Sequence, residues 1–214
     1  TVLKSLIDLK DLKEKNSSVK ALAYQLYENN GVLKRDQVSE YLKDLGQSER
    51  KILRDLGVKF GRYHVFLHRL IKPEAVSLRT LLWKNYHQKY FNLKPPTFGL
   101  NFLKDNDIKN KNFMLLCGFE KFDVFFVRID ILERLFMQII NSTKEIKLIP
   151  DMLNLLGCDK ENFKKLLQCM DYKIINKDDE IFFRYNPKKS KKKIFNKKIK
   201  KESPFGILKN LNFN

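Results

Sequence analysis

The sequence predicts a mainly α-helical chain with small β-hairpins and a basic C-terminal tail that stays disordered. Two stretches, residues 18–67 and 130–185, each place apolar residues at helical spacing and then close on two short strand-like segments about a turn. Residues 187–201 hold nine lysines and no acid, a run whose self-repulsion keeps it extended in water.

In the first stretch, Ser17 or Ser18 caps a helix that buries Leu22, Ala23, Leu26 and Tyr27, and Asn29-Asn30-Gly31 ends it. A second helix, 36–45, turns Val38, Tyr41, Leu42 and Leu45 inward and stops at Gly46. A third, 48–56, buries Ile52, Leu53 and Leu56 and stops at Gly57. Strands at 58–60 and 63–67 follow about Gly61-Arg62, where glycine at the first turn position suits a type II′ hairpin. Residues 73–90 read as a further helix, and beyond the turn signals at Pro95, Pro96 and Gly99 the helix and strand signals are mixed as far as Arg128.

The second stretch repeats the order. Asp130 with Glu133 three residues on reads as a capping box, opening a helix that buries Leu132, Leu135, Phe136, Ile139 and Ile140. A short helix at 151–156 stops at Gly157, and Asp159 caps the next, which buries Phe163, Leu166, Leu167 and Met170. Strands at 172–175 and 181–185 pair about Lys177-Asp178-Asp179. Both copies put glycine after the second helix, at Leu45-Gly46 and Leu156-Gly157, where a left-handed residue commonly turns the chain, and Ser48 or Asp159 then caps the third. Helix, helix, helix, hairpin is the winged-helix plan. The expected organisation is an N-terminal helix plus winged-helix-like unit over 1–72, a helical connector over 73–128, a second winged-helix-like unit over 129–186 and a Lys-rich tail over 187–214.

The 214 residues leave room for two or three small cores. The formal net charge is +18, half of it from the lysine run. Lysines number 34 against 9 arginines, and Asn, Ile and Phe are plentiful, as in the product of an AT-rich coding sequence. Positive charge attracts phosphate whatever its origin. Cys117, Cys158 and Cys169 have no CxxC spacing, so neither a disulfide framework nor a zinc ribbon is indicated and a reduced cytoplasmic setting is expected. No run approaches about 18 apolar residues and no signal peptide opens the sequence, so no membrane partner is expected. Thr1 in place of Met suggests a fragment of something longer.

A winged helix usually presents its third helix and its wing to nucleic acid. Arg50, Lys51 and Arg54 with Lys59 and Arg62 form that face in the first unit; Lys160, Lys164 and Lys165 with Lys173 form it in the second. Lys188, Lys189, Lys191, Lys192, Lys193, Lys197 and Lys198 of the tail extend the same chemistry, which neutralises phosphate without reading bases. Phe205, Ile207 and Leu208, after this polar linker, read as a partner-docking motif. His64 and His68 have no third ligand at a metal-like spacing. Trp83, Tyr86, Tyr90 and Phe91 suit packing better than base stacking. Asp178-Asp179-Glu180 resembles a magnesium-holding acidic motif, yet it falls in a hairpin turn and no GxxxxGK[ST] loop accompanies it. No nucleophile and base arrangement has supporting context, so no catalytic residue, metal or cofactor is expected and this chain alone is not read as an enzyme.

The segment Leu56-Gly57-Val58-Lys59-Phe60-Gly61-Arg62-Tyr63-His64-Val65-Phe66-Leu67, then Leu70-Ile71-Lys72-Pro73-Glu74-Ala75-Val76 and Leu78-Arg79-Thr80-Leu81-Leu82-Trp83, resembles the C-terminal, non-motor region of a known family. These are bacterial superfamily II ATP-dependent RNA/DNA helicases similar to the mitochondrial RNA-degradosome helicase. The likeness resumes at Val127-Arg128-Ile129-Asp130-Ile131-Leu132-Glu133-Arg134-Leu135, at Met152-Leu153-Asn154-Leu155-Leu156-Gly157-Cys158 and at Ser203-Pro204-Phe205. The resemblance implies a parent helicase whose two RecA-like motor domains, with ATP and Mg, precede this region. None of the motor's catalytic residues falls on these positions.

The function expected is therefore an accessory region that grips the backbone of RNA or DNA, in single-stranded form, while the motor translocates. Its implied partners are those motor domains and, by family analogy, an exoribonuclease. Two alternatives stand beside it: a tandem winged-helix DNA-binding regulator, and a protein-interaction scaffold whose basicity is compositional.

Overall fold

The computed structural model describes residues 2–13, 16–104, 110–139, 145–177 and 180–186. Among these residues the chain forms nine α-helices and three small antiparallel three-stranded sheets. The Lys-rich tail, with every lysine named above for it and the docking motif Phe205, Ile207 and Leu208, lies outside the described residues. So do Asp178 and Asp179; Glu180 opens a strand.

After α1 (Lys4–Lys10), α2 (Ser17–Glu28) leads into the first sheet. Asn16, rather than either serine, caps α2, its side chain accepting from the amides of Ser18 and Val19. Strand β1 (Val32–Lys34), unforeseen in the sequence because three residues show no alternation, joins the sheet before a 3-10 turn, α3 (Ser39–Asp44) and α4 (Gln47–Asp55). The hairpin β2 (Val58–Phe60) and β3 (His64–Leu67) then completes it in the order β1-β3-β2. Leu22, Leu26, Leu53, Val65 and Leu67 make its core.

The segment expected as a helical connector carries a sheet of its own. It runs α5 (Pro73–Tyr86), β4 (Phe102–Lys104), α6 (Lys111–Leu116), β5 (Phe119–Phe122) and β6 (Phe125–Arg128), in the order β4-β6-β5. Then α7 (Ile129–Ile139), β7 (Ile146–Lys147), α8 (Pro150–Leu156), α9 (Lys160–Cys169), β8 (Tyr172–Lys177) and β9 (Glu180–Tyr185) repeat the arrangement as β7-β9-β8. Helix, strand, one or two helices and a hairpin thus occur three times, with the last strand paired to both others each time.

A shared backbone feature marks the repeat. The residue just before the second strand of each sheet is left-handed: Gly57 at φ 92°, Gly118 at φ 85° and Asp171 at φ 63°. The glycine signature expected after the second helix is not shared. Gly157 is left-handed at φ 70° and ends α8, whereas Gly46 is extended and is the N-cap of α4, so Ser48 lies inside that helix instead of capping it. Asp159 does cap α9, accepting from the Asn162 amide at 2.7 Å.

The three sheets are packed together, not strung out. Phe125 and Val127 face the third core with Leu132, Leu156, Phe163 and Phe183, while Phe126 of the same strand faces Val76, Phe113 and Met114. Val32, Phe66, Ile71 and Ile129, with Leu115 of α6 packed against them, form a separate apolar contact among elements of all three repeats. Strand β3 is buried along its whole length. That burial brings the β2–β3 turn against α7.

Candidate nucleic-acid interface

The β2–β3 turn is held by a carboxylate from 70 residues away. Glu133 of α7 accepts from the backbone amides of Arg62, Tyr63 (3.0 Å) and His64 (2.9 Å). The capping box expected at Asp130 and Glu133 therefore does not form: Glu133 reaches across to the hairpin, and Asp130 pairs with Arg128 at 2.7 Å and accepts from the Ile131 amide. The type II′ turn is absent too. Gly61 does not have a positive φ, and its amide donates to the His64 carbonyl at 2.8 Å around Arg62-Tyr63. Glycine is needed at 61 because any Cβ there would run into the Glu133 carboxylate.

Two concave surfaces flank this turn. One, of about 600 Å³, lies between the hairpin and α7, with Lys59, Arg62, His68 and Arg134 around a lining of Phe60, Phe66 and Phe136. The other, of about 640 Å³, lies toward the second sheet and holds Lys34, Lys121, Tyr63 and Tyr185. Arg35 and Arg62 line both. The first surface also contains Asp130 and Glu133, but Asp130 is paired with Arg128 and Glu133 is occupied by the turn's amides and His64. His68 lies at this surface with its pKa held below the ordinary value, by burial first; Asp130 pulls it upward, and Lys59, Lys72 and Arg134 each push it down.

Of the residues proposed from the sequence, Lys59 and Arg62 line the first groove, and Arg35 and Arg134, from two other segments, line it with them. Lys51, Arg54, Lys59 and Arg62 are exposed. The Arg54 guanidinium lies 5.7 Å over the Phe60 ring, at the edge of the first groove. Arg50 lines neither groove, and its guanidinium donates to the carbonyls of Leu45 (3.1 Å) and Leu42 (2.9 Å), closing the end of α3, whereas Arg35 lines both grooves while donating to the Gly61 carbonyl at 2.6 Å. Lys160, Lys165 and Lys173 are exposed on α9 and β8 and line neither groove. Lys164 is half-buried and paired with Glu161 at 2.9 Å. Lys173 stands directly across from Arg184, a like-charge pair that is unfavourable without a counter-ion.

The aromatic group expected to pack does so only in part, with Phe91 62 % exposed. Trp83 stacks on His87 at 4.4 Å and Tyr90 at 5.3 Å and tilts against Phe113, so its ring is used internally; Tyr86 is 86 % exposed. His64 is buried in β3 whereas His68 is in the 3-10 turn after it, and among the described residues no group of metal-ligating side chains converges. Burial pushes the Cys117 thiol up to about 12 and the Cys158 thiol to about 11, which leaves both unreactive. Among the described residues no helix is long and apolar enough to cross a membrane. No family model, no curated protein and no solved structure matches the chain.

Proposed function

We propose that this chain is a nucleic-acid-binding accessory region of an ATP-dependent RNA or DNA helicase, built from winged-helix-like units in series. Three such units are read where the sequence suggested two, the middle one having a single helix between its first and second strands among the described residues. The observation that carries the reading is the gathering of Arg35, Lys59, Arg62 and Arg134 about the first unit's wing, beside acids that are already engaged. Arginine and lysine side chains on a rim, over a lining that includes phenylalanine, suit a phosphate backbone with little base reading. The lysine run would add a second, sequence-independent hold. The segments that carry the helicase resemblance around Gly61 and Glu133 are the two that meet in this site. ATP and Mg belong, in this reading, to motor domains on other parts of the protein, and motor domains and an exoribonuclease are its protein partners.

The test is fluorescence anisotropy with labelled single-stranded and duplex oligonucleotides, comparing the chain with K59A/R62A/R134A. Single-strand binding with little sequence bias, weakened in the variant, supports the accessory reading. Duplex preference with a marked specificity ratio points to a tandem winged-helix regulator. Affinity that depends only on the tail lysines points to a scaffold.

A further inference from the structure

We propose that Glu133 and His64 are positioning residues for the basic turn: the His64 imidazolium, clamped between Glu120 and Glu133, pins the carboxylate that holds the turn's backbone, and loss of its proton unlatches the turn. This rests on the reading of that turn as the nucleic-acid grip.

The geometry demands a doubly protonated ring. Nδ1 of His64 is 3.2 Å from Glu133 Oε1, and Nε2 is 3.1 Å from Glu120 Oε2. An ionised carboxylate only accepts, and a neutral imidazole has one donor, so only the imidazolium satisfies both neighbours. Lys34 Nζ is 2.6 Å from the other oxygen of Glu120, which makes two cations and two carboxylates, a balanced set. His64 is 2 % exposed and the Glu120 side chain 3 %. Burial pushes the imidazole pKa down, but the hydrogen bonds and charges of Glu120 and Glu133 push harder, and the net value lies above the ordinary 6.5. For Glu120 burial is likewise outweighed, by His64 and Lys34, and its carboxyl stays below its ordinary range.

The latch spans the three repeats, with His64 and Lys34 from the first sheet, Glu120 from β5 and Glu133 from α7. Once His64 is neutral, the buried set carries net negative charge and the ring keeps a single donor; with that proton held on Nε2 by Glu120, Nδ1 turns a lone pair on Glu133 Oε1, the same oxygen that takes the Tyr63 and His64 amides. Other charged groups face the same crevice: Arg35 and Asp36 after β1, Arg62 in the turn and Lys121 on β5. Tyr63 and Tyr185 also line it, and burial raises the Tyr63 phenol, which stays neutral. His64 is the member whose ordinary value lies nearest neutral pH. His68, on the opposite side of the hairpin, is shifted the other way and so cannot mimic its titration.

The test uses the full chain from pH 5.5 to 9. NMR follows the His64 ring nitrogens, hydrogen exchange follows the Arg62, Tyr63 and His64 amides, and anisotropy follows a labelled oligothymidylate. As His64 loses its proton, protection of those three amides should fall and affinity should drop about fivefold or more. Glu133→Gln should flatten both profiles, and Glu120→Gln, which leaves the turn's own bonds intact, should move both transitions to lower pH. A His64 ring with only one proton at pH 5.5, or amide protection that ignores its titration, overturns the latch. A chain that binds no oligonucleotide at any pH overturns the nucleic-acid reading, while the amide protection still decides the latch.

Discussion

The two oxygens of Glu133 take three backbone amides and one imidazole nitrogen, so this side chain is the most heavily committed in the molecule's described interior. Removing it as Glu133→Ala strands buried donors and a buried imidazolium, and about 3–5 kcal/mol of stability should be lost in urea unfolding. Gly61→Ala should cost about 1–3 kcal/mol by crowding the same carboxylate. His64 is raised in the fold, so its contribution is complete below pH 6.5 and is lost as pH climbs through its folded value; His68 is lowered, so its contribution is complete above 6.5 and is lost on acidification. Thermal melts should therefore show stability declining on the alkaline side, and His64→Gln should remove that decline. None of this is legible in the sequence, because Gly61 looks like a turn glycine and Glu133 like a capping residue until the 71 residues between them are folded. Arg50 misleads for a similar reason: its partners are carbonyls, which no side-chain pattern reveals.

Helix positions were readable because their apolar spacing is long and regular, as in α9, where Phe163, Leu166 and Leu167 are all buried. The strands β1, β4 and β7 were not, since each has only two or three residues and gains its identity from a partner far along the chain. That loss concealed the middle repeat and made residues 73–128 look like a connector. The left-handed residue before β2, β5 and β8 is the local signal that unites the three. Two repeats meet it with glycine and the third with Asp171, whose Cβ makes that conformation costly. Asp171→Gly should thus raise stability by up to about 1 kcal/mol, and Gly57→Ala should lower it by about 1–2 kcal/mol, both measurable as shifts in the urea midpoint.

Across the whole molecule, charge and shape divide the labour. The folded body gathers arginines and lysines from separate segments onto one hairpin, and the junction of three sheets decides where that hairpin points. The sequence made the sign of the charge plain but not its focus: of the proposed residues that are described, only Lys59 and Arg62 line these grooves, and Arg35 and Arg134 were invisible until β1 and α7 met the turn. If the body itself grips a strand, the tail should strengthen binding without being required for it. The decisive measurement is the salt dependence of single-strand affinity for the chain with its tail lysines changed to glutamine, with and without K59A/R62A/R134A. The account predicts that the tail-neutral chain still binds, and that removing the three groove cations flattens the log–log salt slope by about 2. An unchanged slope, or no binding once the tail is neutral, would contradict it.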